Sequence, residues 1–253
     1  MVKLTTTQRQ LIDIRSYLVS KYNYDQFVSL GKDCHSATMI RCKYFNDLTS
    51  SSDYFFDTEL FMSQKYPFGA YLFDWVMLAS PDNIIKCLDL NFDGFLKREN
   101  FYIIKKRRGC CVANSFGIEF RHFDKYFAKI PFSAKDEKDT LYFLDSIFPS
   151  KIEKYKYLVD KFQKLLNSNK KVLFVYDDYN ASTQIEKFVT LLSKLNEFNC
   201  DAHLLVMSSE GLKEINVPNL HFRKVVRRGA FTPEHPDEYT SWLKSFKKFS
   251  LNK

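Results

Sequence analysis

Two apolar runs joined by an amphipathic segment constrain this chain more than any other feature. Lys171-Val-Leu-Phe-Val-Tyr-Asp177 has no charged residue between its ends, as expected of a strand buried on both faces. Thr183 and Glu186 then stand at capping-box spacing, ahead of Ile185, Phe188, Leu192 and Leu195 at helical intervals, and Ala202-His-Leu-Leu-Val-Met207 reads as a second strand. Strand, helix, strand in that order is a βαβ unit, whose strands run parallel and whose crossover covers one sheet face. The fold class is therefore α/β: a mostly parallel sheet with helices on both faces. Such sheets take ligands outside the carboxyl ends of their strands.

The remaining elements fit around this unit. Thr7 and Gln10 precede Leu11, Ile14, Leu18 and Tyr22 on one helical face, which predicts an amphipathic leading helix within residues 1–25, ahead of a single α/β domain over 26–245. Tyr24 to Leu30 supplies a first strand, and Gly31 turns it into a helix that opens near Cys34 and runs to about Tyr44. A polar, Ser-rich surface loop follows at about 46–65. Ser80-Pro81 has the residues of an N-cap and a first helical position, with Ile84, Ile85 and Leu88 on the buried side. Phe92, Phe95 and Phe101 are packing anchors in a turn; Tyr102–Lys105 and Cys111–Phe120 are extended. Lys135–Asp139 reads as a charged loop, and Ile152, Tyr155, Val159, Phe162 and Leu166 mark a long amphipathic helix. A last strand over Leu220–Val226 leads through a Pro-rich turn to a short helix containing Trp242.

Composition excludes several classes. In 253 residues, 45% hydrophobic content with 25 Phe and 15 Tyr is incompatible with a disordered chain. Six cysteines lack CxxC spacing, and neither a secretory apolar region nor a run of about 18 apolar residues is present, so the expectation is a cytoplasmic, reducing location with no membrane span. No HExxH, paired CxxC, EF-hand loop, GxGxxG or Walker A sequence occurs, so no metal or cofactor is called for. The net charge of +8 favours acidic partners only in a nonspecific way. Its excess sits in Lys105-Lys-Arg-Arg108 and in Arg223, Lys224, Arg227 and Arg228, read as solvated surface.

Chemistry concentrates at the strand-to-helix turn. Helix N-termini expose unpaired N–H groups that lower a thiol pKa and hold a developing oxyanion, so Cys34 is the candidate nucleophile; the alternative is a small buried core residue. Ser29, Gly31 and Asp33 surround it in sequence. Asp74 and Trp75 lie in an aromatic segment, where an acid either caps a turn or lines the pocket. Asp177 ends the buried strand, placed to orient a histidine, bind substrate or precede a helix start. Of five histidines, His35 follows Cys34 directly and is expected to point elsewhere, while His122 and His235 fall in loop-like surroundings. Asp124, two residues from His122, leaves the same face of an extended segment.

The ordered set Ser29-Leu-Gly-x-x-Cys34-x-x-Ala37, Phe73-Asp-Trp75, Phe92-x-x-Phe95-Leu, Gly117-Ile-x-Phe-x-His122 and Lys171-Val-Leu-Phe-Val resembles a family described as papain-like cysteine peptidases, over roughly residues 27–210. The resemblance implies Cys34 as nucleophile and His122 as base. Where that family commonly has His-Asp-Phe, this chain has His122-Phe-Asp124, so the resemblance does not carry over a third catalytic residue, and Asp124 is the candidate orienter on its spacing from His122. The implied reaction is hydrolysis or acyl transfer at an amide or ester, with a peptide, ester or glycan as substrate. Two other readings use the same residues: an esterase similar to the SGNH type, with His235 in place of His122, and a noncatalytic protein binding an acidic glycan, a phosphate-bearing ligand or nucleic acid through basic patches.

Overall fold

The computed structural model describes residues 22–32, 35–49, 69–77, 79–106, 109–120, 137–178, 181–210, 216–227 and 236–252. Its frame is a parallel four-stranded sheet of β2 (Gln26–Ser29), β6 (Lys171–Asp177), β7 (Asp201–Ser208) and β8 (Leu220–Lys224), in the order β2-β6-β7-β8. The predicted βαβ unit is β6, helix α4 (Ile185–Leu195) and β7, with Val172 opposite Ala202 and Asp177 opposite Met207. The fold is α/β.

The period-two alternation of the strands divides the interior into two cores. Val28, Val172, Phe174, Tyr176, Leu204 and Val206 face one core with α2 (Pro81–Asp89), α3 (Glu137–Leu166) and α4. Phe27, Leu173, Val175, Leu205 and Met207 face the other, against Met39 and Ile40 of α1 (His35–Thr49) and Trp242, Leu243 and Phe246 of α5 (Pro236–Ser245). Helices therefore cover both faces, the condition that lets β6 carry an unbroken apolar run.

Several elements depart from the sequence expectation. Tyr24–Leu30 is two strands, β1 (Tyr22–Tyr24) and β2, separated by Asp25, which accepts the Lys171 N–H at 2.8 Å. β1 pairs in parallel with β9 (Phe249–Leu251), a strand that no local pattern announced. β3 (Phe101–Lys106), β4 (Gly109–Asn114) and β5 (Glu119–Phe120) form an antiparallel sheet beside the parallel one. Ser80 caps α2 as expected, its hydroxyl accepting the Asn83 N–H. Thr183 does not cap α4: it lies inside a 3-10 turn over Ala181–Gln184, and Gln184 precedes the helix with no side-chain cap. Glu137–Asp139, expected as loop, opens the 30-residue helix α3, and α1 continues five residues past Tyr44 to Thr49. Most of the leading-helix range and of the 46–65 loop lies outside the described residues; within them Tyr22, expected on the helix, belongs to β1, and 46–49, expected as loop, end α1. Among the described residues no helix is long and apolar enough to cross a membrane.

Candidate functional site

The chain passes from β2 to α1 through a braced turn at the carboxyl edge of the parallel sheet. Leu30 N–H still bonds the Val175 carbonyl at 2.9 Å, holding the end of β2 to β6. Gly31 then adopts φ +91°, its N–H donates to Ser29 Oγ at 3.2 Å, and Ser29 Oγ lies 2.7 Å from Ser36 Oγ in the first turn of α1. A seryl bridge thus ties the strand end to the helix start. Cys34 and Asp33 lie outside the described residues, as do His122, Asp124 and His235. Cys34 is covalently joined to His35, the first residue of α1.

Around this turn the fold assembles a buried group of opposite charges. His35 Nδ1 is 3.2 Å from Asp177 Oδ2 and His35 Nε2 is 3.1 Å from Glu238 Oε1 in α5. Arg227, beyond β8, pairs with Asp177 and also approaches His35 Nδ1 at 3.2 Å. The side chains of Asp177 and Glu238 are each 1% exposed, Arg227 3% and His35 7%. Carboxylates so far from water require positive partners and hydrogen bonds, since the bare ion would cost several kcal/mol to desolvate. The quartet brings ionisable partners within ion-pair distance from four different parts of the fold. Next to it, Lys32 pairs with buried Asp178, whose other oxygen accepts the Gln184 amide at 3.2 Å.

This arrangement corrects one sequence reading and bears on two others. His35 points into the sheet edge, with Trp242 4.7 Å away, edge-on; Cys34, from which it is expected to diverge, lies outside the described residues. Arg227 is not solvated surface charge. Asp177, for which its position left orienting a histidine, binding substrate or preceding a helix start open, lies 3.2 Å from His35 Nδ1 and pairs with Arg227. Glu238 had no signal of its own, while the acid ending the apolar β6 run was the one local sign that a buried cation must exist.

Asp74 keeps different company. It lies in a 3-10 turn over Leu72–Trp75, where its Oδ2 accepts the Tyr71 N–H at 3.1 Å and pairs with Arg41 of α1 at 3.2 Å. Both sequence alternatives for Asp74 placed it in a turn or a pocket, and the turn-capping one is observed. Burial pushes its carboxyl up to about 6, with Arg41 and the Tyr71 N–H pulling the other way. Between the usual 3.8 and about 6 the folded state therefore holds a proton that the unfolded chain has released. Stability attributable to Asp74 falls as pH rises through that window. In Asp74→Asn that slope is expected to disappear, read as urea midpoints measured every half pH unit; an unchanged slope would remove Asp74 as its source. For Trp75, only the backbone is described.

Four described cysteines, Cys42, Cys87, Cys111 and Cys200, are free and buried. Burial pushes the Cys42 thiol well above its ordinary value, Cys87 to about 12 and Cys200 to about 11, which makes them poor nucleophiles. Among the described residues no three His, Cys, Asp or Glu side chains converge as a metal site. Two open surface grooves of about 470 and 500 Å³ flank the quartet, sharing Val226 and Ser241, and the second also reaches Lys224 and Arg227.

No curated protein and no solved structure matches the chain. A family model does, over residues 63–207, a span that holds Asp74, Trp75, His122, Asp124 and Asp177 and begins downstream of Cys34. With more than half of its length matched, the chain belongs to the family described as "Putative papain-like cysteine peptidase (DUF1796)".

Proposed function

We propose that the chain is a thiol hydrolase or acyl transferase acting on an amide or ester, with Cys34 as nucleophile, His122 as base and Asp124 orienting it. The observation that carries this reading is the braced turn: β2 stops at Ser29, Gly31 bends the chain, and a 15-residue helix begins at His35, so Cys34 directly precedes a helix at the ligand-binding edge of a parallel sheet. The positive end of the α1 macrodipole favours a thiolate and an oxyanion at that position. His122 takes the thiol proton, the sulfur attacks the carbonyl carbon, and the proton passes to the departing amine or alcohol. Water then cleaves the thioester and returns the thiol. Ser29 and Gly31 set the turn, and Asp177 seats the head of α1 through His35. The groove reaching Lys224 and Arg227 is the approach for substrate.

Alkylation rate against pH, resolved by residue in the full chain, tests the assignment. Cys34 is expected to label with an apparent pKa well below the free-thiol value of about 8.5, while buried Cys42 stays unlabelled. His122→Ala is expected to raise the Cys34 value and His235→Ala to leave it unchanged. The reverse pattern favours the SGNH-like esterase. A Cys34 that labels like an ordinary thiol leaves a binding protein instead.

A further inference from the structure

A second group of titratable side chains, remote in sequence from the turn at Gly31, has no part in the proposed reaction. His203 of β7 is 4% exposed, and His221 of the edge strand β8 stands on the same sheet face, because His221 pairs with Leu205, two residues on. Tyr24 Oη of β1 lies 3.0 Å from His203 Nδ1, and His221 Nε2 lies 3.5 Å from the same nitrogen. The two imidazole centroids are 5.8 Å apart, with planes 14° from parallel. That separation exceeds the N···N distance by about one ring diameter, so the rings lie nearly in one plane with the two nitrogens aimed at each other. A metal ion on that line would sit closer to each nitrogen than the roughly 2.0–2.1 Å of a Zn–N bond. A shared proton fits.

Counting protons defines what the contact tolerates. In the neutral form His203 Nδ1 accepts the Tyr24 O–H, and Nε2–H faces Asp201 Oδ1 at 3.5 Å. One added proton makes an N–H···N bond between the rings. A second sets two N–H groups head to head. The charged and titratable neighbours are Asp201 on β7, which favours the charged form, Lys171 on β6, which opposes it, Arg223 on β8, which lies over the Phe249 ring, and Tyr22 with Tyr24 on β1. Burial is the largest influence on His203 and lowers its proton affinity. Tyr22 and Phe249, the first residues of β1 and β9, cover His221 at 5.0 and 5.2 Å between centroids.

We infer that Tyr24, His203 and His221 form an acid-sensitive catch that holds the β1–β9 sheet and the edge strand β8 to the parallel sheet and releases them when both histidines are protonated. The catch tolerates the first proton, which the two rings share, and weakens as pH falls below the ordinary histidine value of about 6.5 far enough to add the second, because the open form takes up that proton and the closed form resists it. β8 runs on to Val225 and Arg227, so opening it also loosens the buried quartet.

Hydrogen–deuterium exchange of the full chain between about pH 7.5 and 5, corrected for intrinsic rates, reads the catch directly. Amides of Tyr22–Tyr24 and Leu220–Lys224 are expected to open up to about tenfold more per pH unit below about 6.5 for each proton taken up, with central β6 as the unchanging reference. His221→Phe keeps a ring against Tyr22 and Phe249 but cannot take a proton; only buried His203 still titrates, and the exchange is expected to vary less steeply with pH than in the wild type. Equal pH dependence in both proteins, or none in the wild type, overturns the inference. Should His221→Phe not fold, the ring-proton NMR titrations of the two histidines in the wild type decide: coupled steps support the catch, and two independent titrations near 6.5 overturn it.

Discussion

Arg227→Ala is expected to lower the stability of the folded chain by about 3–5 kcal/mol, the cost typical of breaking a buried ion pair by removing one partner. The mechanism is charge left behind. With the guanidinium gone, Asp177 loses the cation beside it, while Asp177, Glu238 and His35 are all at most 7% exposed. Water cannot reach far enough to compensate, so the loss exceeds that of a surface pair, where about 0–1 kcal/mol is usual. Arg227→Lys is expected to recover part, because it restores the positive charge but on a stem that does not match the position from which Arg227 Nη1 meets both Asp177 and His35. Removing the opposing charge as well, in Arg227→Met with Asp177→Leu, is expected to cost less than the sum of the two single changes. Urea unfolding at constant m-value measures all five variants. An Arg227→Ala midpoint within about 1 kcal/mol of wild type would mean that Arg227 is solvated and that the quartet does not hold α1.

That quartet also marks where sequence reasoning reached its limit. Elements with a strong local signal were legible: the apolar run Val172–Tyr176 declared a strand covered on both sides, and Ser80-Pro81 declared the start of α2 through one hydroxyl and one fixed φ. The turn at Gly31 was legible for the same reason, since only a glycine enters φ +91° readily. Partnerships across the fold were not. His35, Asp177, Arg227 and Glu238 are separated by up to 203 residues, and nothing in the neighbourhood of Arg227 distinguishes a buried arginine from the exposed Lys224 close by. β9 is three residues long and gains its pairing from β1 at the other end of the described chain, so it had no periodicity to detect. Thr183 and Glu186 carried a real capping-box spacing, but the chain uses Ala181–Gln184 to turn off β6 before the helix can begin. Of the candidate site, the place was readable and its electrostatics were not: a carboxylate ending a buried strand implies a counter-ion without saying which one.

Gly31→Ala is the substitution expected to damage the turn most for the fewest added atoms. A Cβ on Gly31 would stand 3.0 Å from Ala79 Cβ and 3.4 Å from the Phe73 carbonyl oxygen. Neither is the end of a flexible side chain, and Ala79 is fully buried and its carbonyl accepts the Tyr176 hydroxyl at 2.9 Å. Overpacking of this kind costs about 1–3 kcal/mol, and a non-glycine residue at positive φ adds about 1–3 kcal/mol more. Relief by backbone movement would break the Gly31 N–H···Ser29 Oγ bond and with it the Ser29–Ser36 bridge, shifting the head of α1 relative to β2. Two readouts should therefore move together: the urea midpoint falls by the equivalent of about 2–6 kcal/mol from those two terms, and the Cys34 alkylation profile shifts toward that of a free thiol at about 8.5. Pairing Gly31→Ala with Ala79→Gly separates the causes. The second change opens the space but leaves φ at +91°, so a double-mutant cycle assigns the steric part to the coupling energy and the conformational part to what remains. A Gly31→Ala protein with wild-type stability and an unchanged Cys34 profile would disconnect the turn from the nucleophile and leave the assignment of Cys34 resting on sequence motif alone.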